Sequence, residues 1–201
     1  MKILKKHLIA LALLAVAIPA MAVIQSSPAE EEIINLLDER DRQIKTLIGP
    51  EETTYTEEQR QELTNIINDI IDYSAMAETA LQDTWQEISS EEREKFIELF
   101  STIIRQQSLS QLNIYRAEVT YDNVEVVGDS AMVETTAMLE DVRTPVLYEM
   151  ERRNGEWVIT DMAIDNLWTA ESYKRSFQNQ IRRRGFDALL TSLERRAERQ
   201  Q

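Results

Sequence analysis

The sequence contains no cysteine and a single histidine, His7, close to its start. Without thiols the chain can form no disulfide, and a domain that leaves the cytoplasm in this state must be held together by a packed core. Glycine and proline are also scarce, four of each in 201 residues. No linker rich in Gly or Ser divides the chain, and no internal repeat is present.

Only one long apolar run exists, at 8–18, preceded by Lys2, Lys5 and Lys6 and followed by Pro19 and the small-residue triplet Ala20-Met21-Ala22. This pattern is that of a secretory signal with cleavage expected after Ala22. The run covers about half of the hydrocarbon thickness that a spanning helix must cross. Residues 1–22 are therefore read as a removed signal and 23–201 as one mature domain in the periplasm, with no thiol to carry a lipid anchor.

Cleavage removes His7 and leaves neither imidazole nor thiol. Ser-His-Asp triads, Cys-His dyads, zinc sites of Cys or His, and haem ligation by His are excluded. Carboxylate chemistry survives, as a glycosidase pair or a hard-cation site. The precursor has 36 acidic and 22 basic residues; taking away the three signal lysines leaves 36 against 19, a net charge of −17. Nucleic acid is not an expected partner for such a chain. The charge is uneven, for 172–201 holds eight basic residues and three acidic ones.

Apolar spacing predicts helices first. Ile33, Leu37, Ile44, Leu47 and Ile48 fit a helix ending before Gly49-Pro50. Thr56 and Gln59 form a capping box ahead of the stripe Leu63, Ile66, Ile67, Ile70 and Ile71. A third helix is expected over about 74–87, with Ala77, Leu81, Trp85 and Ile88 as its stripe. Ser89 and Glu92 form a second capping box, Glu91 and Lys95 an i,i+4 pair, and Phe96, Leu99, Phe100, Ile103 and Ile104 a buried face.

From Tyr115 the period shortens to two, and 115–164 reads as an antiparallel meander of about four strands, with turns at Gly128-Asp129 and Asn154-Gly155 and with Pro145 near a strand start. Helix then resumes with Tyr173, Phe177 and Ile181, breaks at Gly185, and continues through Phe186, Leu189, Leu190 and Leu193. Helices, sheet, helices in that order give an α+β domain.

The segments Trp157-Val158-Ile159-Thr160-Asp161-Met162-Ala163-Ile164-Asp165-Asn166, Tyr173-Lys174-Arg175-Ser176-Phe177 and Gly185-Phe186-Asp187-Ala188-Leu189-Leu190 resemble the MlaC family, also named for toluene tolerance. Upstream, Ile71-Asp72-Tyr73-Ser74-Ala75-Met76-Ala77 and the run from Trp85 through Ser89, Glu92, Arg93 and Phe96 resemble that family's segments in the same order. Asn166 stands where the family usually has glycine, and Leu167-Trp168-Thr169 departs from its usual pattern. Asparagine tolerates left-handed backbone, so the departure bears on the shape of the pocket more than on the fold.

The resemblance implies a monomeric cone of sheet wrapped by helices, like that of nuclear-transport-factor domains, around a hydrophobic cavity. It further implies a carrier, not an enzyme, that passes phospholipid between an outer-membrane lipoprotein complex and an inner-membrane ABC transporter and so maintains outer-membrane lipid asymmetry. No cofactor or metal belongs to that activity. Candidate cavity residues are Val133, Leu139, Val146, Tyr148, Met150, Ile164, Leu167, Trp168, Tyr173 and Phe177, each also compatible with ordinary core. Lys174 and Arg175 are candidates for contact with a head group or partner. Arg182, Arg183 and Arg184 suit the same role or the negative end of a helix dipole. Asp161 and Asp165 could form a carboxylate pair, although a backbone-satisfying role for Asp161 and a turn for Asp165 fit their positions. Three other functions stay open: a non-catalytic interaction module with a solid core, a carboxylate-dependent hydrolase relying on Asp161, and a carrier of another lipid such as a hopanoid.

Overall fold

Ser27 starts the first helix because its side chain accepts from the backbone of Glu30 while the Glu30 carboxylate accepts from the backbone of Ser27, a complete capping box. The structure is a computed structural model that describes residues 26–50, 53–110 and 112–199; the expected signal, 1–22, lies outside them. Helix α1 covers Pro28–Ile48 and α2 covers Glu57–Asn68, the latter opened by the expected Thr56/Gln59 box. Helices α3 (Tyr73–Leu81), α4 (Asp83–Glu87) and α5 (Ser90–Ser110) follow, and a 3-10 turn over Leu112–Arg116 leads into the sheet.

The single helix expected over 74–87 is in fact two. Gln82 takes a left-handed φ of 51° and separates α3 from α4, and both Leu81 and Trp85 are thereby buried in the same cluster. The Ser89/Glu92 box is formed, but Lys95 pairs with Glu194 of the last helix at 2.5 Å instead of with Glu91. A tertiary partner of opposite charge has displaced the local one.

Strands β1 (Glu118–Val127), β2 (Ser130–Leu139), β3 (Val142–Arg153) and β4 (Glu156–Ile164) run as an antiparallel meander, and a two-residue β5 (Leu167–Trp168) adds a fifth strand to the expected four. Two residues are too few for an alternating pattern to betray them. Asn154 and Gly155 both have positive φ, 53° and 90°, as the tight β3–β4 turn requires. Pro145 sits inside β3, not at its start. Its carbonyl accepts from Asp165, just past the end of β4, so its edge faces a position where no ladder donor is needed.

Helix α6 (Thr169–Arg184) and α7 (Phe186–Glu198) are joined by Gly185 alone, at φ 82°. They close a helical layer with α3 and α5, whose centre is aromatic. Phe96, Phe100, Phe177, Tyr173 and Phe186 contact one another with ring centroids 5.1–6.1 Å apart, largely edge-on or tilted. A second cluster lies between α1 and the sheet and contains Ile33, Ile70, Val133, Met150, Trp157 and Ile159. A third joins Ile44 and Ile48 of α1 to Leu63 and Ile67 of α2. Arg116 ties the 3-10 turn to the end of α1 by donating to the carbonyls of Ile48, Gly49 and Pro50.

Candidate functional site: the sheet face beneath the first helix

Side chains alternate along a strand, so register alone decides which residues share a face. On β2, Ala131, Val133, Thr135, Ala137 and Leu139 oppose Met150, Tyr148, Val146, Thr144 and Val142 of β3 in turn. On β4, Ile159, Met162 and Ile164 oppose Met150, Tyr148 and Val146. That assignment needs a bulge, because Asp161 and Ile159 pair with successive residues of β3 and Thr160 is extra. The bulge keeps Trp157 and Ile159 on the same face as Met162 and Ile164 and turns Asp161 and Ala163 to the other.

This face is mainly apolar, interrupted by Thr135 and Thr144, and is unevenly covered. At the end beneath α1, Val133 is 0% and Met150 1% exposed. Tyr148, Met162, Tyr121 and Val124 pack around them half-buried. Farther along, Val146 and Leu139 are half-buried, and exposure rises to 41% at Ile164, 63% at Val142 and 65% at Leu167. The track from Met150 to Val142 is eight residues of strand, about 25 Å. Half of a bilayer's hydrocarbon core is about 15 Å, so the track is longer than one acyl chain at membrane depth.

Helix α1 crosses this face and fastens to it by polar contacts at its margin. Tyr121 donates to Asp38 at 2.9 Å, and Arg152 pairs with Glu32 at 2.6 Å while its guanidinium stacks over Trp157. Where α1 passes on to α2, the half-buried Leu47, Ile66, Leu109, Leu112 and Tyr115 pack against Ile44, Ile48, Leu63 and Ile67.

Its hydroxyls are all neutral at ordinary pH. Burial pushes Tyr148 up to about 12, and Tyr115 is raised by burial as well. Tyr121 is raised by burial and by the Asp38 carboxylate that accepts its hydrogen bond. Such groups are hydrogen-bond donors, not proton-transfer catalysts near neutrality. Among the described residues no group of three or more acidic or metal-ligating side chains could hold a metal ion, and no helix is long and apolar enough to cross a membrane.

Of the residues expected from the sequence, Val133, Tyr148 and Met150 meet in the buried part of this face, and Leu139, Val146, Ile164 and Leu167 continue it into solvent. Trp168 pairs with Ala163 across β4–β5 and is half-buried beside the start of α6. Tyr173 and Phe177 lie elsewhere, within the aromatic layer against Phe100. Lys174 is paired with Glu171 at 2.8 Å, and Arg175 is exposed. Tyr121 and Thr135 share the site without having been expected there, and Met162, whose soft side chain suits variable acyl chains, joins them. Thr135 alternates in phase with Val133, but the face on which Tyr121 and Met162 fall depends on two bulges, one between Tyr121 and Asn123 and one at Thr160.

Asp161 and Asp165 do not form a pair. Asp165 occupies the β4–β5 turn at φ 51°, followed by Asn166 at φ 60°. Asp161, 5% exposed, accepts from the backbone N–H groups of Met162 and Ala170 and so caps α6 from the neighbouring strand. Burial raises its carboxyl to about 6, against the lowering effect of those two hydrogen bonds, with Glu149 and Glu171 raising it further.

No curated protein is significantly similar to this chain in sequence. Among solved structures the fold is similar to that of a phospholipid-binding protein from Ralstonia solanacearum, determined in complex with a phospholipid, with a TM-score of 0.71 and 19% identity over 87% of this chain and 99% of that one. The family model for the MlaC protein matches residues 40–195, more than three quarters of the sequence, including all of the sheet and α6 and most of α7. The chain belongs to the MlaC family.

Proposed function

We propose that the mature chain, exported and cleaved after Ala22, is a periplasmic phospholipid carrier that holds acyl chains along the sheet face beneath α1. The observation that carries this reading is the 25 Å apolar track, about eight strand residues long, whose cover by helices thins from Met150 to Leu167. Membership of the MlaC family and the phospholipid-bound neighbour of the same fold support it. In this proposal Val133, Leu139, Val146, Tyr148, Met150, Ile164 and Leu167 contact the chains, whereas Trp168, paired with Ala163, lies on the opposite face of the sheet. Tyr173 and Phe177 hold the helical layer in place behind them.

Each buried methylene is worth about 0.8 kcal/mol, so two acyl chains leaving water gain more than ~20 kcal/mol and would not return to water on any useful timescale. Exchange therefore has to run directly between the track and a membrane-derived site. We assign the two ends of that exchange to an outer-membrane lipoprotein complex and an inner-membrane ABC transporter. An exposed apolar end suits direct exchange, because a chain can begin to leave before its buried end is released.

The test is a double substitution, Val146→Glu with Ile164→Glu, at positions that are half-buried and exposed and so do not interrupt the core. Lipid copurifying with the variant is expected to fall at least tenfold with circular dichroism unchanged. Undiminished lipid in a folded variant would remove the track as the binding surface.

A further inference from the structure

The groove between α6 and α7 is lined by Ser176, Asn179, Gln180, Arg183, Arg184 and Ser192 and has a volume of about 330 Å³. None of these side chains is acidic, and all can donate hydrogen bonds. That is unusual surface for a chain with 36 acidic residues against 22 basic ones. The two helices run antiparallel, with Gln180 bonded to the carbonyl of Ala188 and, at the far end, Arg196 bonded to and stacked on Tyr173.

Neither Arg183 nor Arg184 has a side-chain hydrogen bond or ion pair among the described residues. The basic residues elsewhere that find carboxylates, such as Arg40, Lys45, Lys95 and Arg152, show that acid is available to pair with. Acidic residues of α7 are turned away: Glu194 pairs with Lys95 of α5, and Asp187 acts on that same lysine. The dipole at the end of α6 accounts for arginine in its last turn. It does not account for two unpaired guanidinium groups lining one groove together with hydroxyls and amides and no carboxylate. Asn179 is oriented as well, since its Oδ1 accepts from Arg182 and its Nδ2 is left as a donor.

We propose that this groove is an oxyanion site that takes a phosphate group, either free phosphate or the head-group phosphate of a lipid. Two guanidinium forks, two amides and two hydroxyls offer more donors than the two oxygens of a carboxylate can use, and they match a phosphate's oxygens. No residue of the sheet-face track lines the groove, so the inference stands apart from the lipid-carrier reading.

The experiment uses the full mature chain. Inorganic phosphate is titrated at constant ionic strength against chloride while backbone amide and arginine Nε–H resonances are followed, and sedimentation with phosphatidylglycerol vesicles is measured in parallel. Saturable shifts confined to α6 and α7, weakened at least tenfold in R183A/R184A and unchanged in the distant R60A, are expected for free phosphate. Vesicle binding lost in R183A/R184A without any phosphate titration would assign the head group as the source. No saturation together with vesicle binding that is absent or survives in R183A/R184A, or equal losses in R60A, would overturn the proposal.

Discussion

Replacing Asp161 by asparagine removes a buried charge while keeping an oxygen able to accept from the backbone of Met162 and Ala170. The consequence can be worked from the carboxyl's position. Its pKa rises from 3.8 to about 6 on folding, and one unit corresponds to about 1.36 kcal/mol, which gives about 3 kcal/mol. Because the folded-state value is the higher one, the folded protein binds the proton more tightly. Stability contributed by this group is therefore present below pH ~4 and is lost as pH rises from there through about 6. Above pH 7 the wild type carries the whole cost of a buried carboxylate and the D161N variant carries none. Urea denaturation of both proteins between pH 4 and 8 should show the variant gaining on the wild type across pH 4–6, by up to about 3 kcal/mol, and then holding a constant lead. Asp161→Ala serves as the comparison, since it strands two buried N–H groups and should cost about 1–3 kcal/mol at every pH. Parallel stability curves for wild type and D161N would refute the reasoning, because they would mean that Asp161 does not change its proton affinity on folding.

Phe100→Ala should destabilise the helical layer by about 3–5 kcal/mol in the same assay, because Phe100 is fully buried and touches the rings of Phe96, Tyr173 and Phe177. A cost under 1 kcal/mol would show that the layer collapses to fill the space. Gly155→Ala should cost about 1–2 kcal/mol, all of it conformational, since φ is 90° and an added methyl would meet no atom within 4 Å. Hydrogen exchange should then report opening concentrated at the β3–β4 hairpin, and uniform loosening would argue against a local cause.

Much of the architecture is written in local chemistry. The capping residues Thr56/Gln59 and Ser89/Glu92, the Asn154-Gly155 turn and the break at Gly185 are each specified by the residue present, and the elements begin or end there. The split between α3 and α4 is different, because glutamine has no preference for the left-handed conformation that Gln82 adopts. Tertiary packing of Leu81 and Trp85 imposes it. The exchange of Glu91 for Glu194 as the partner of Lys95 has the same character, since a contact between α5 and α7 cannot be seen before the helices are placed.

The site was legible in kind but not in outline. Alternation from β1 to β4 announces an apolar face, and Val133, Tyr148 and Met150 lie on it. What alternation lacks is the phase shift at each bulge, which brings Met162 into line with Tyr148 and turns Asp161 toward α6. Tyr173 and Phe177 form a stripe indistinguishable by spacing from a cavity wall. Only the placement of Phe96 and Phe100 opposite them shows that the stripe packs against other rings.

The most direct test of the carrier is mass spectrometry, native and denaturing, of the mature protein purified after export from a Gram-negative host. Roughly one phospholipid per chain is the predicted result, with delipidation lost or gained as a single mass step. A fully folded protein that carries no lipid, or one that carries only a polycyclic lipid such as a hopanoid, would contradict the account.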